Sequence, residues 1–366
     1  MLSTTVYKQL PVVSTTTCYQ LIRLSSTLAA TPNTPVSHIP KPSNDDHHHH
    51  HRQDATFVEP KKSPFDVSTR IYTQQGIDGN DDTRYLTKPT YPHPVFPTEE
   101  CESVTVTHRE PRTFGDKLSY NGIHIVRKLF DFVTGYADPS PSNPKQYVGT
   151  RYEMTEGKWM TRCIFLESVA GVPGSVAGFI RHLHSLRMLK RDRAWIETLH
   201  DEAYNERMHL LTFIRIGKPS WFTRSIIYMG QGVFTNVFFF LYLLNPRYCH
   251  RFVGYLEEEA VRTYTHLLEE LKEPGKLPNF QKMKIPTVAA QYWPELHEES
   301  SFKDLILRIR ADEAKHREVN HTFANLEQKS DRNPFALKVE GLDAPQPNHG
   351  LKVMTPTGWE RKDMQL

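Results

Sequence analysis

The first 44 residues contain no Asp or Glu and no continuous apolar core. The missing core excludes a secretory signal. What is present, many Ser and Thr with Lys8, Arg23 and Lys41, reads as a mitochondrial-type transit peptide over residues 1–44. Cysteine is scarce: Cys18, Cys101, Cys163 and Cys249 share no framework spacing. That excludes a disulfide scaffold and suits a reducing compartment. A net charge of +3 is too small to call for nucleic acid, and neither zinc-ligand spacing, a phosphate-cradling glycine loop nor a basic–aromatic RNA motif occurs. Strand signals are nearly absent from 150–327, which predicts an all-α core.

Residues 45–113 read as a polar, largely irregular arm with short extended pieces such as Val104–Thr107. The run His47–His51 within it is a low-complexity tract. An amphipathic helix is predicted over 116–136, where Ile123, Val126, Leu129, Phe130 and Val133 recur at helical spacing. Four long helices follow within a domain spanning 114–327. They cover about 155–190, 194–216, 247–272 and 301–327, with a further apolar helix at 221–244. Pro173 falls inside the first, Gly217 and Pro219 end the second, and Ser300 or Ser301 caps the fourth. Residues 328–366 form a C-terminal tail.

Two helices carry the same spacing, Glu206 with His209 and Glu313 with His316. Positions i and i+3 share a helix face, so each pair presents a carboxylate and an imidazole together. Asn205 and Asp312 precede them, set to steady a ligand on a neighbouring helix. A ferritin-like di-iron bundle needs one more Glu from each of the other two helices. Glu167, alone in an apolar run, supplies the first. The third helix offers Glu257, Glu258 and Glu259. Glu257 shares its face with Val253, Gly254, Ala260, Val261 and Tyr264 and is the expected ligand. Glu258 shares its face with Arg251 and Arg262 and is expected in solvent. A donor set rich in carboxylate, with two histidines, suits iron or manganese better than zinc.

The segments L-E-S-V-A-G-V-P-G, N-E-R-M-H-L, L-E-E-E-A-V and R-A-D-E-A-K-H closely resemble the signatures of the mitochondrial alternative oxidases, and the resemblance covers 116–327. It implies a non-haem di-iron ubiquinol oxidase that reduces O2 to water without proton pumping, forms a homodimer and sits on the inner membrane, facing the matrix. Its two iron ions would be held by Glu167, Glu206, His209, Glu257, Glu313 and His316. It also implies quinol contacts at Arg162, Leu166, Leu256 and Glu259 and a redox-active tyrosine at Tyr264. Cys101 lies in a context unlike the regulatory cysteine of plant members. Each quinol pair lines one helix face, one residue and about 100° round from a metal ligand. A pocket between the first and third helices would then touch the metal site from the side, Arg162 donating to a quinone oxygen and Glu259 accepting a quinol proton. The rival chemistry is that of another membrane-bound di-iron oxygenase, a desaturase or hydroxylase.

Residues 225–244 carry no charge, long enough to span a bilayer. The charged start of the helix that carries Glu206 could not enter hydrocarbon. One-leaflet insertion is therefore expected, with the apolar helix packing the bundle or a partner subunit. Helix 116–136 and the stretch Arg181–Arg193 would lie on the surface, with Lys and Arg toward lipid phosphates.

Overall fold

The computed structural model describes residues 56–58, 67–80, 87–138, 140, 142–143, 145–336 and 345–364. The leader 1–44 and the His47–His51 run lie outside the described residues. In chain order the elements are β1 (Phe57–Val58), β2 (Arg70–Tyr72), α1 (Gln74–Asn80), α2 (Thr98–Glu102), α3 (Phe114–Thr134), α4 (Glu156–Met188), α5 (Trp195–Ile216), β3 (Gly217–Lys218), α6 (Trp221–Leu244), α7 (Pro246–Lys272), α8 (Pro278–Lys282), α9 (Thr287–Tyr292) and α10 (Phe302–Asn325). A 3-10 turn covers Arg361–Asp363. The three strands form one small antiparallel sheet. The fold is all-α, with a four-helix bundle of α4, α5, α7 and α10.

Local chemistry sets the helix ends. Thr113 and Asp116 form a capping box at α3, Ser301 and Asp304 another at α10, each satisfying amide donors that have no intrahelical partner. Thr155, Ser220 and Asn245 cap α4, α6 and α7. α5 has no capping side chain at Ala194; instead Asp192 accepts from Ile196 N at 3.0 Å. α4 continues through Pro173.

α4 packs mainly on α5, and α7 on α10. Gly174 makes the first pairing close: a Cβ there would lie 2.5 Å from Leu199 O, and the backbones could not approach with any side chain between them. α3 lies across α7 and touches α4, while α6 packs by one edge on α4 and α7.

Several expectations are corrected. Val104–Thr107 lies outside any strand, and the paired strands of the arm are β1 and β2. The arm is irregular yet packed, burying Phe96, Cys101, Val104, His93 and Arg109. α6 packs on the bundle as expected, but only by one edge: Thr223, Phe238 and Tyr242 are buried, while Trp221, Tyr228, Met229, Val233 and Leu244 are exposed. α4 and α6 are both long and apolar enough to cross a membrane, α4 being largely bundle core. Arg127 and Arg181 turn inward rather than toward lipid, pairing with Asp131 and Asp192 at 2.8 and 2.9 Å. Glu258 is buried, not solvated. It accepts from Arg109 N at 2.9 Å and faces His108 and His321 at 2.7 and 2.9 Å. Its helix neighbour Arg251 is buried too, bonded to Asp116 and Asn325. The arm covers this face of α7, which the helical period of α7 alone does not reveal.

Candidate metal centre

Glu167 on α4, Glu206 and His209 on α5, Glu257 on α7, and Glu313 and His316 on α10 meet at the bundle axis, all buried. Ligand atoms of Glu167, Glu206, His209 and Glu313 lie within 4.8 Å of one another, and so do those of Glu206, Glu257, Glu313 and His316. Glu206 and Glu313 belong to both groups. The arrangement is that of two adjacent metal positions sharing two carboxylates, each with one further carboxylate and one imidazole.

Within the cluster His209 Nδ1 meets Glu167 Oε2 at 3.3 Å, but several other donor atoms are unpaired. His316 Nδ1 lies 2.6 Å from Glu206 Oε1, yet neither atom has a hydrogen-bond partner, and neither do Glu206 Oε2 and Glu313 Oε2. The distance is met and the direction is not. Buried acceptors left unpaired are costly, and a cation removes the cost. Four ionised carboxylates with two neutral imidazoles carry four negative charges, which two divalent cations cancel. Absent a cation, burial and repulsion from Glu313 and Glu206 push Glu167 and Glu257 well above the usual carboxylate range. Burial works to raise Glu206 too, but His316 and His209 hold it below that range.

His209 presents Nδ1 to the cluster, 3.3 Å from both Glu167 and Glu313. Its Nε2 lies 3.0 Å from Asp312 Oδ2, so the carboxylate fixes the ring and its tautomer. Asp312 is itself held from three sides. Trp293 Nε1 donates at 3.0 Å, Asn205 Nδ2 at 3.2 Å, and His93 Nε2 lies 2.7 Å from Oδ1. Burial opposes its charge, but His93 and His209 hold it well below the usual range. Asn205 therefore steadies Asp312 rather than a ligand directly. His93 and Trp293 carry no sequence signal, since both lie outside any periodic segment.

Tyr264 is buried on α7 and its hydroxyl donates to Glu167 Oε1 in a short contact. Burial and the nearby Glu167 push its pKa well above the phenol range, making it a weaker acid. Beside it lies a cavity of about 80 Å³ that reaches Glu167, Glu257 and Glu313, and Arg162, Leu166, Leu256 and Glu259 all line it. The cavity has a third wall that sequence reasoning missed, α3, which contributes Ile123, Arg127 and Phe130. The i,i+4 pair Arg127 and Asp131 was the available signal. Arg162 is wholly buried, donating to Thr134 at 2.6 Å and lying 2.8 Å from Asp131, and its Nε has no hydrogen-bond partner. Glu259 pairs with Arg127. Cys101 is buried, and burial raises its thiol to about 12, far from a reactive thiolate.

Comparison with known proteins agrees with this geometry. The profile of the alternative oxidase family matches residues 96–325. The chain is 73% identical to "Alternative oxidase 2, mitochondrial" of Candida albicans over the full length of both. It is 72% identical to "Alternative oxidase 1, mitochondrial" of the same organism, over 84% of this chain and 82% of that one. With "Alternative oxidase, mitochondrial" of Aspergillus niger it shares 52% identity, over 74% and 76% of the two chains. A helical bundle with a buried Glu/His cluster, matched by that profile over most of its length, makes this chain an oxidase and a member of the alternative oxidase family.

Proposed function

We propose that the protein is a terminal oxidase that passes electrons from ubiquinol to O2, forming ubiquinone and water at a non-haem di-iron centre, without pumping protons. The observation that carries this reading is the cavity shared by Arg162, Glu259, Tyr264 and three of the carboxylates, since it brings an organic donor beside the metal positions without exposing them to solvent. Glu167, Glu206, His209, Glu257, Glu313 and His316 would together hold the two iron ions. Bound there, the irons supply the redox couple that takes electrons from quinol and delivers them to oxygen.

The chain's own residues bind and orient. Arg162 and Arg127, both held by carboxylates, offer guanidinium donors to a quinol oxygen, and Glu259 accepts its proton. Leu166 and Leu256 line the apolar flank. The Tyr264 hydroxyl holds its proton toward Glu167, which positions it beside the metal ligands. Asp312 keeps His209 in one orientation, and Asn205 keeps Asp312.

The relatives' printed names support a mitochondrial location for this chain. The apolar outer faces of α3 and α6, with Leu129, Phe132, Tyr228 and Val237 exposed, suit a monotopic position on the inner membrane, facing the matrix. Quinol and oxygen chemistry then occur on one side of the bilayer and no charge crosses it. The exposed apolar residues Phe179, Leu183 and Leu186 on α4 suit a homodimer contact.

The test is oxygen uptake by the purified, iron-loaded protein with ubiquinol as sole donor. Sustained uptake with water as product is expected. A requirement for a separate reductase, or hydroxylated product, would instead identify an oxygenase.

A further inference from the structure

The cavity has one polar end, built around the guanidinium of Arg127. Three carboxylates face it. Glu259 pairs with Nη1, Asp131 Oδ2 lies 2.8 Å from Nε, and Asp138 Oδ2 lies 3.7 Å from Nη2. Their side chains are 14%, 21% and 48% exposed in that order, so they form a series from cavity wall to solvent. Arg162 adds a second positive charge, 2.8 Å from Asp131. Arg262 adds a third, its Nε 4.0 Å from Glu259 Oε2, so three guanidinium groups and three carboxylates form one connected ionic cluster.

Asp138 is also fixed in place. The Tyr136 hydroxyl donates to Asp138 Oδ1 at 2.5 Å, and Tyr136 O lies 2.8 Å from His266 Nδ1. A phenol has one proton, here given to Asp138, so the imidazole Nδ1–H is the donor in the second bond. Behind His266 the series continues to Glu270 and Lys276, each step 3.6 Å. A small cavity of about 20 Å³ borders Ala137, His266 and Glu270, room for one water. Burial and the nearby Asp138 push Tyr136 well above the phenol range, so it is a permanent donor to Asp138 and not a competing carrier.

We propose that Asp138 is the outlet by which protons released in quinol oxidation reach the aqueous phase, with Asp131 as the station between it and the cavity. The inference rests on the ubiquinol reading above. Each quinol oxidised gives up two electrons and two protons. The electrons go to the metal centre; each proton, taken from quinol by Glu259, passes by way of Asp131 to Asp138 along the carboxylates around Arg127, and then to bulk water. Only O–H bonds form and break on this path. Oxygen reduction takes up as many protons as two quinols release, so the overall reaction balances with solvent as the common pool.

The experiment uses the iron-loaded full chain with ubiquinol as donor. Asp138→Asn should lower kcat about tenfold or more, with quinol KM, iron content and thermal midpoint unchanged. Asp138→Glu should recover most of the rate. Added imidazole, a small proton carrier, should raise kcat of the Asn variant several-fold and leave wild type unaffected, which a structural role would not produce. Tyr136→Phe should give a smaller loss with the same rescue. Wild-type kcat in Asp138→Asn, or a loss that imidazole does not relieve, overturns the outlet. Failure of the wild-type protein to oxidise quinol at all overturns the ubiquinol reading instead, so the two failures are distinguishable.

Discussion

Glu206 and Tyr264 show how differently two buried side chains beside one centre are committed. Glu206 belongs to both groups of donor atoms, so its loss removes a ligand from each metal position at once. Glu206→Ala should therefore abolish bound iron and activity together, read by metal analysis and oxygen uptake on one preparation. Full iron occupancy with normal turnover would overturn the ligand set. Tyr264 donates to Glu167 and stacks against Phe213 with ring centroids 6.4 Å apart. Its ring packs while its hydroxyl touches the centre. Tyr264→Phe keeps the ring, so the expected outcome is unchanged iron and fold with most quinol oxidation lost. Wild-type turnover in a fully metallated Phe variant would reduce Tyr264 to packing.

At the scale of elements, α7 is pinned to its neighbours by polar groups that must stay neutral or paired. His250 lies 3.1 Å from Tyr242 Oη on α6 and 3.1 Å from Asn320 Oδ1 on α10. Burial lowers its pKa from 6.5 to about 3, and burial lowers His321 to about 4. A depressed folded value means that the unfolded chain takes up the proton first. The stabilisation is full above pH 6.5 and is lost as pH falls toward 3. The thermal midpoint should thus be flat above pH 6.5 and fall on acidification, with a shallower fall in His250→Gln; equal slopes would refute this. The helices themselves were legible because each has a sustained apolar period and a cap: α4, α5, α7 and α10 fall within two residues of the predicted ends. Glu167, Glu257 and the two paired motifs were legible for the same reason. Glu258, Arg127 and Asp312's other partners were not, because their surroundings come from the arm, from α3 and from the segment around α9. Those contacts are set by tertiary packing across long stretches of chain, which no local period encodes.

For the whole molecule, the exposed apolar residues of α3 and α6 are the dominant surface feature. The protein should stay with membranes in high salt, leave in mild detergent, and present both termini to protease on the same side of sealed vesicles. Protection of one terminus alone would mean that a helix spans. Replacing Leu129 and Phe132 by Glu should shift the protein toward the soluble fraction without loss of iron. The arm before α3 has the opposite character, since it is held inward by His93 on Asp312 and by Arg109 on Asn325 and Glu360. It is a working part of the centre rather than a tether. A chain cut beyond His93 would leave a helical bundle whose Asp312 had lost one of its three partners and was held only by Trp293 and Asn205. How much of the N-terminal side the fold can lose is therefore set by the contact between His93 and Asp312.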